Sequence, residues 1–253
     1  MGQAVARAVI ADKNTELVAF VSRPGSLLVG ADAQTLLGSD SPSLTIVEEL
    51  SLDAVDVVID FTLPESTLAN AKKCADAAIP IVIGTTGFSS DELTALDDCL
   101  ASVASCRAAN FSTGVNLAYR LLAIAAEVMG SESDIEIHEA HHKHKVDAPS
   151  GTALAMGQAI TDAMGTSLSD VARYDRSAVR KARELGSIGF SVTRAGDIVG
   201  DHTVMFGAEG ERLEITHKAS SRDAFAAGAL RAAQFLRDKP EGNYSMADVL
   251  GLS

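Results

Sequence analysis

The first half of the chain alternates stretches of helical apolar spacing with short apolar runs. Residues 2–12 place Val5, Ala8 and Val9 on one face of a predicted helix, and Pro64 opens another that continues to Ala78. The short runs, each predicted to be a strand, are residues 17–21, 55–61, 80–84 and 103–109. Apolar strands separated by helices are typical of a doubly wound α/β domain with a parallel sheet.

The pattern changes after Thr113. A long helix is predicted from Val115 to Met129, and four later stretches alternate apolar with polar residues, which predicts sheets with one buried face. These stretches are residues 134–140, 187–194, 202–206 and 212–216. A helix predicted at residues 221–237 returns to the first domain. We therefore expect one domain from residues 1–112 and 223–253, and an α+β domain from residues 113–222.

The beginning of the sequence departs from the usual order of such folds. A dinucleotide-binding domain normally starts with a strand and a glycine-rich turn that lead into its first helix. Here the helix opens at Met1 and Gly2, so that strand and most of the turn are missing from the sequence. We expect either a start placed too late or a real truncation, and a missing central strand should expose two strand edges.

Charge and composition narrow the classes of partner. A formal net charge of -13 argues against bulk binding to nucleic acid or anionic membranes, which requires a positive surface. No apolar stretch approaches the ~20 residues that span a bilayer. The three scattered cysteines lack metal-type spacing and are expected to be reduced, and no leader opens the chain. These features favour a cytoplasmic protein.

The densest group of chemically active residues lies between His138 and Thr152. Four of the six histidines occur in the run HEAHHKH, interleaved with and followed by lysines. A histidine beside a lysine suits proton transfer near neutral pH, because a nearby cation lowers the pKa of the imidazole. Ser150 is a good N-cap for the helix that follows, and the free N–H groups of a helix N-terminus can hold a carboxylate or phosphate.

Part of this run matches a zinc-protease pattern, with His138, Glu139 and His142 at the required spacing. That pattern needs a helix, whereas the flanking residues DIEIHEA alternate as a strand does. In a strand His138 and His142 would lie ~13 Å apart, too far to share one zinc ion. We therefore expect no metal site here.

Several segments, in order along nearly the whole chain, resemble 4-hydroxy-tetrahydrodipicolinate reductase, also called dihydrodipicolinate reductase. They are IDFTLPES (59–66), VIGTTGF (82–88), AANFSTGVN (108–116), EAHHKHKVDAPSGTA (139–153), RAGDIVGDHTVMF (194–206) and ERLEITHKASSR (211–222). The resemblance implies an NAD(P)H-dependent reductase of lysine and diaminopimelate synthesis. Its expected fold is a Rossmann-like dinucleotide-binding domain, here without its first strand, plus an α+β domain for substrate binding and tetramerisation.

The same resemblance implies roles for individual residues. His141 would be the general acid/base and Lys145 the proton donor, stabilising and quenching the charge left by hydride addition to a cyclic imine. The residues expected to bind the small dicarboxylate substrate are His142, Ser150, Gly151 and Thr152. Those expected to bind the cofactor are Met1, Gly84, Thr85, Thr86, Ala108, Ala109, Asn110 and Phe111.

Arg23 bears on the choice of cofactor. It follows the strand predicted at residues 17–21, where no acidic residue is present. An acid there would bind the ribose hydroxyl of NADH, whereas an arginine can accept a 2′-phosphate. We therefore predict a preference for NADPH over NADH. A catalytically inactive binding protein of the same fold and a metal hydrolase stay open as alternatives, which cofactor titration and metal analysis would separate.

Overall fold

The computed structural model describes residues 1–39 and 41–252, and the chain divides into two compact units. The first unit comprises Met1–Ser112 and Arg222–Ser253, and the second is Thr113–Ser221. Arg222, which the sequence placed in the second domain, therefore belongs to the first unit. Each unit has its own sheet and its own apolar core.

The helices and strands are numbered in chain order. The helices are α1 (Gly2–Ala11), α2 (Gln34–Leu37), α3 (Pro64–Asp76), α4 (Ser90–Cys99), α5 (Thr113–Met129), α6 (Gly151–Met164), α7 (Leu168–Val171), α8 (Asp223–Leu236) and α9 (Met246–Leu250). The strands are β1 (Val58–Asp60), β2 (Ile81–Ile83), β3 (Ala104–Arg107), β4 (Asp134–His141), β5 (Ala172–Arg173), β6 (Ile188–Arg194), β7 (Gly200–Ala208), β8 (Glu211–Ala219) and β9 (Gly242–Tyr244).

The first unit contains a parallel sheet in the order β1-β2-β3-β9. Both of its faces are covered, which explains the continuous apolar run at β2. Ile81 and Ile83 join a core with α3 and α4, whereas Val82 joins the core formed with α8 and α9. Successive side chains of a strand point to opposite faces, so a strand between two helical layers needs apolar residues at every position.

The second unit is built on a mixed sheet in the order β5-β6-β4-β7-β8. The central strand β4 pairs in parallel with β6 and antiparallel with β7. Helices α5 and α6 cover one face, where Leu122 and Ile160 share a core with Ile135 and Ile137 of β4. The other face carries the polar residues of the alternating stretches, as the sequence predicted for β4. The doubly wound α/β unit and the α+β unit confirm the expected fold class.

The least accurate sequence prediction concerns residues 17–21. Within the described part of the chain this stretch forms only a single parallel bridge, between Val21 and Val47, rather than a strand. A strand exists only where a neighbouring backbone completes a ladder of hydrogen bonds, and here one short segment supplies the bonds of Ser22 and Phe20. The predicted strand was therefore wrong in extent.

Smaller differences concern the ends of elements. The predicted strands 55–61 and 103–109 shorten to β1 and β3, and the helix expected from Ser221 begins at Asp223. The short β9 and α9 at the C-terminal end were not predicted. Among the described residues, no helix combines the length and the apolar character needed to cross a membrane.

Candidate active site

The register of β4 brings two site residues to one face of the second unit's sheet. Ile135, Ile137, Glu139 and His141 alternate along the strand and are all buried, while His138 points to the opposite face and contacts Ser191. Residues two apart in a strand share a face. The apolar stripe of β4 therefore ends in a carboxylate and an imidazole.

Glu139 is the most heavily bonded of these residues, and its side chain is only 1% exposed. It accepts two hydrogen bonds from Arg194, each 2.7 Å long, and one of 2.9 Å from the backbone N–H of Ser150. Its Oε2 also lies 2.6 Å from Nδ1 of His141. Burial alone would raise the pKa of Glu139, but the bonds from Arg194, His141 and Ser150 lower it to about 2.

The ionised Glu139 decides which ring nitrogen of His141 carries the proton. Because a carboxylate can only accept hydrogen bonds, Nδ1 of His141 carries the proton in the neutral ring, and Nε2 keeps its lone pair. Burial lowers the pKa of His141, and the nearby cations Lys145 and Arg194 lower it further, against the opposing effect of Glu139. The neutral imidazole therefore predominates near pH 7, with Nε2 able to take up a proton.

A second buried histidine lies against the first. The rings of His141 and His202 meet edge to face, with centroids 5.1 Å apart, and Nε2 of His202 lies 3.0 Å from the hydroxyl oxygen of Ser150. Burial lowers the pKa of His202 to about 4, and His141 adds to that effect. His202 therefore stays neutral beside His141 over the physiological range of pH.

The loop after β4 carries the predicted proton donor. Nζ of Lys145 lies 2.9 Å from the carboxylate of Asp147, and its side chain is 21% exposed. The Lys145 ammonium also contributes to the lowered pKa of His141, so the two predicted catalytic groups interact electrostatically. His142 is half-buried, and its Nδ1 is enclosed without a hydrogen-bond partner in the described structure. Such an atom is a candidate for contact with a ligand.

Helix α6 begins as the sequence predicted. Ser150 caps it by accepting a hydrogen bond from the backbone N–H of Ala153, 3.1 Å away. Gly151 occupies the first helical position, with open space where a side chain would be. The hydroxyl of Thr152 instead interacts with Tyr119 of α5. The helix N-terminus can bind an anion through its backbone N–H groups, beside the residues that surround His141.

In the first unit, the predicted cofactor residues follow the ends of the parallel strands. A Cβ atom built at Gly84 would overlap the ring of Phe61, so any larger residue there would require that ring to move. Thr85 is buried and accepts a hydrogen bond of 2.7 Å from Thr67. Thr86, Ala108, Ala109 and Asn110 are at least partly accessible, whereas Phe111 is 1% exposed and lies 5.6 Å from the Phe61 ring. Phe111 therefore supports the Gly84 loop from inside the core.

The N-terminus of α1 opens into a cavity of about 560 Å³. Met1, Gly2 and Gln3 line it together with Ser22, the basic Arg7 and Arg222 and the acidic Asp223, all within the first unit. Arg23, the predicted 2′-phosphate residue, is not among its lining residues, although its neighbour Ser22 is. Free helix N–H groups and two arginines suit a phosphate group.

The zinc-protease match falls on a strand, since β4 extends through His141. His138 faces away from His141, as the alternation predicted, and it contacts Ser191. Among residues 1–39 and 41–252, no set of three or more histidine, cysteine or acidic side chains is placed to hold a metal ion. The three cysteines are free.

Sequence comparison decides the family. Residues 1–111 match the family described as dihydrodipicolinate reductase, N-terminus, and residues 114–250 match its C-terminus. The chain belongs to the dihydrodipicolinate reductase family. A protein of Methylococcus capsulatus named 4-hydroxy-tetrahydrodipicolinate reductase is 54% identical over 254 residues, covering 100% of this chain and 94% of that protein. A protein of the same name from Saccharophagus degradans is 52% identical, covering 100% and 95%.

A solved structure shows the same fold. It is dipicolinate-bound dihydrodipicolinate reductase from Paenisporosarcina sp. TG-14, with a TM-score of 0.74 and 24% identity. The match covers 98% of this chain and 94% of that one. The family and the fold thus confirm the resemblance drawn from the sequence.

Three residues of the site were missed as functional candidates: Glu139, Arg194 and His202. The alternation of β4 and β7 already placed Glu139 and His202 on buried faces, and a buried charged or polar residue requires partners. Their predicted burial could therefore have identified Glu139 and His202 as candidates. Arg194 lies 55 residues from Glu139 in the sequence, so only the pairing of β4 with β6 brings them together.

Proposed function

We propose that this protein reduces 4-hydroxy-tetrahydrodipicolinate to tetrahydrodipicolinate, taking up hydride and a proton and releasing water. The observation that carries the proposal is the buried group of Glu139, His141 and Arg194 beside the capped N-terminus of α6, in a chain of this family. A proton-transfer imidazole and an anion-binding helix end are what a dicarboxylate reductase needs.

The residues of the first unit fit a nicotinamide dinucleotide. The cavity at the α1 N-terminus offers helix N–H groups with Arg7 and Arg222 for phosphate, and the absence of a side chain at Gly84 lets the Phe61 ring pack against the loop that follows β2. Met1, Gly84, Thr85, Thr86 and the backbone of residues 108–111 would hold the cofactor. When bound, the dihydronicotinamide supplies hydride to the substrate.

The second unit would bind and protonate the substrate. One carboxylate would meet the backbone N–H groups of Gly151 and Thr152 at the start of α6, with Ser150 fixing the helix end and His142 offering its free Nδ1. The Lys145 ammonium would donate the proton that quenches the negative charge left by reduction. Nε2 of His141 would exchange a proton beside it while Glu139 holds Nδ1–H.

Within this proposal the preferred cofactor is NADPH, because Arg23 follows residues 17–21 without an acid nearby in sequence, and Arg7 and Arg222 line the adjacent cavity. Cofactor oxidation is followed at saturating 4-hydroxy-tetrahydrodipicolinate with NADPH and with NADH. We expect turnover with both cofactors and a higher kcat/KM with NADPH. A clear preference for NADH would overturn the cofactor choice. A folded chain that binds neither cofactor would support the inactive binding protein.

The proposal extends to a homotetramer in the cytoplasm. Strand β8 supports association, since it ends the sheet of the second unit and all of its residues are exposed or half-buried. Neither a membrane nor a nucleic acid is part of the proposal, in keeping with the net charge of -13.

A further inference from the structure

Within the proposed reductase, we propose that the Glu139–Arg194 ion pair is the positioning device that sets the tautomer of His141 and joins the imidazole to the substrate-binding end of α6. Glu139 and Arg194 would touch neither substrate nor cofactor. The proposal rests on the proposed function for its effect on turnover, but its effect on His141 itself can be measured separately.

One carboxylate contacts both halves of the site. Oε2 of Glu139 meets Nδ1 of His141 at 2.6 Å, and Oε1 accepts the backbone N–H of Ser150 at 2.9 Å. Ser150 is the N-cap of α6. A rotation of the Glu139 side chain would therefore move the imidazole and the helix end together.

Arg194 fixes this carboxylate. Its guanidinium binds both oxygens of Glu139 at 2.7 Å, a geometry that restricts rotation. The same guanidinium donates a 2.6 Å hydrogen bond to the carbonyl of Asp147, in the loop that carries Lys145. Backbone bonding adds to this arrangement, since Ala195 donates to the carbonyl of His141 at 2.9 Å.

Among the described residues, four charged or titratable side chains face His141. They are Glu139 on its own strand, Arg194 on β6, Lys145 on the following loop, and the neutral His202 on β7. Glu139 raises the pKa of His141, whereas Arg194 lowers it. Removing Glu139 should therefore lower the pKa of His141, and removing Arg194 should raise it. A purely structural role of the pair would not produce these opposite shifts.

The experiment compares Glu139→Gln with Glu136→Gln. Glu136 lies on the same strand and also binds an arginine, because Arg183 donates to it at 2.7 Å, but it is on the other face from His141. For Glu139→Gln we expect kcat to fall on the order of 100-fold, the lower range for loss of general acid–base catalysis. Glu136→Gln should keep kcat close to that of the parent protein.

Nitrogen NMR of labelled histidine gives the second readout. In the parent protein His141 should show a proton on Nδ1; in Glu139→Gln it should become a mixture of tautomers that titrates at lower pH. In Arg194→Met the titration should move to higher pH, and this variant also serves if Glu139→Gln fails to fold. Unchanged tautomer and titration in both variants, or equal kcat in Glu139→Gln and Glu136→Gln, would overturn the positioning role.

The two proposals fail in distinguishable ways. If the parent protein does not turn over the substrate while both NMR shifts appear, the reductase assignment is lost and the positioning of His141 stands. If the parent protein is active while the tautomer and titration of His141 are unchanged in both variants, the reductase assignment is retained and the ion pair is only structural.

Discussion

The two units of this protein build their functional features from different chemistry. In the first unit the features are largely backbone: the open N-terminus of α1, the glycine at position 84, and loops that follow parallel strands. In the second unit they are side chains that bind one another, with Glu139, His141 and Arg194 joined by bonds of 2.6 to 2.7 Å. A backbone site tolerates changes of side chain but not added volume, whereas a side-chain network depends on the identity of each member.

Apart from Glu139, His141 and Arg194, the residue of the second unit whose replacement should lower kcat most is Lys145. Lys145→Ala removes the proposed proton donor, so kcat should fall on the order of 100-fold. Lys143→Ala is the matched control, since Lys143 is an exposed lysine of the same loop. Steady-state kinetics at saturating cofactor give kcat for both variants. Equal losses of kcat in both variants would mean that Lys145 contributes only to the total positive charge of the loop and is not a specific proton donor.

Adding a methyl group at Gly84 tests the backbone side of the comparison. Gly84→Ala should force the Phe61 ring to move and cost about 1–3 kcal/mol of unfolding free energy, the range for overpacking a core. NADPH binding should weaken, because the shifted ring disturbs the Gly84 loop. Gly207→Ala is the control, as its added Cβ would make only ordinary contact at 3.7 Å. Denaturant unfolding measures the change in unfolding free energy, and cofactor titration measures the change in NADPH affinity. If Gly84→Ala changed neither, Gly84 would no longer be assigned to the cofactor site.

Features set by neighbours in sequence were predicted well. The cap predicted at Ser150 forms, because a helix N-terminus is satisfied by residues within one turn. The alternation of residues 134–140 correctly predicted a strand with His138 away from the buried face. The zinc-protease interpretation was set aside because a strand separates His138 and His142 too far to share one zinc ion.

Features set by distant pairing were predicted poorly. Residues 17–21 have the composition of a strand, but a strand also needs a backbone partner that no local pattern specifies. The link from Glu139 to Arg194 depends on the register of β4 against β6, in which His141 lies beside Arg194. The alternating pattern fixes the face of a residue but not its neighbour on the next strand.

Turnover by His141→Gln tests the central claim most directly, that a neutral imidazole held by Glu139 performs the acid–base step. Glutamine keeps a polar side chain but cannot exchange a proton near pH 7. We expect a kcat about 100- to 10,000-fold lower, with the KM for 4-hydroxy-tetrahydrodipicolinate changed only about threefold or less. An unchanged kcat, or a loss seen entirely in the KM for that substrate, would contradict this claim.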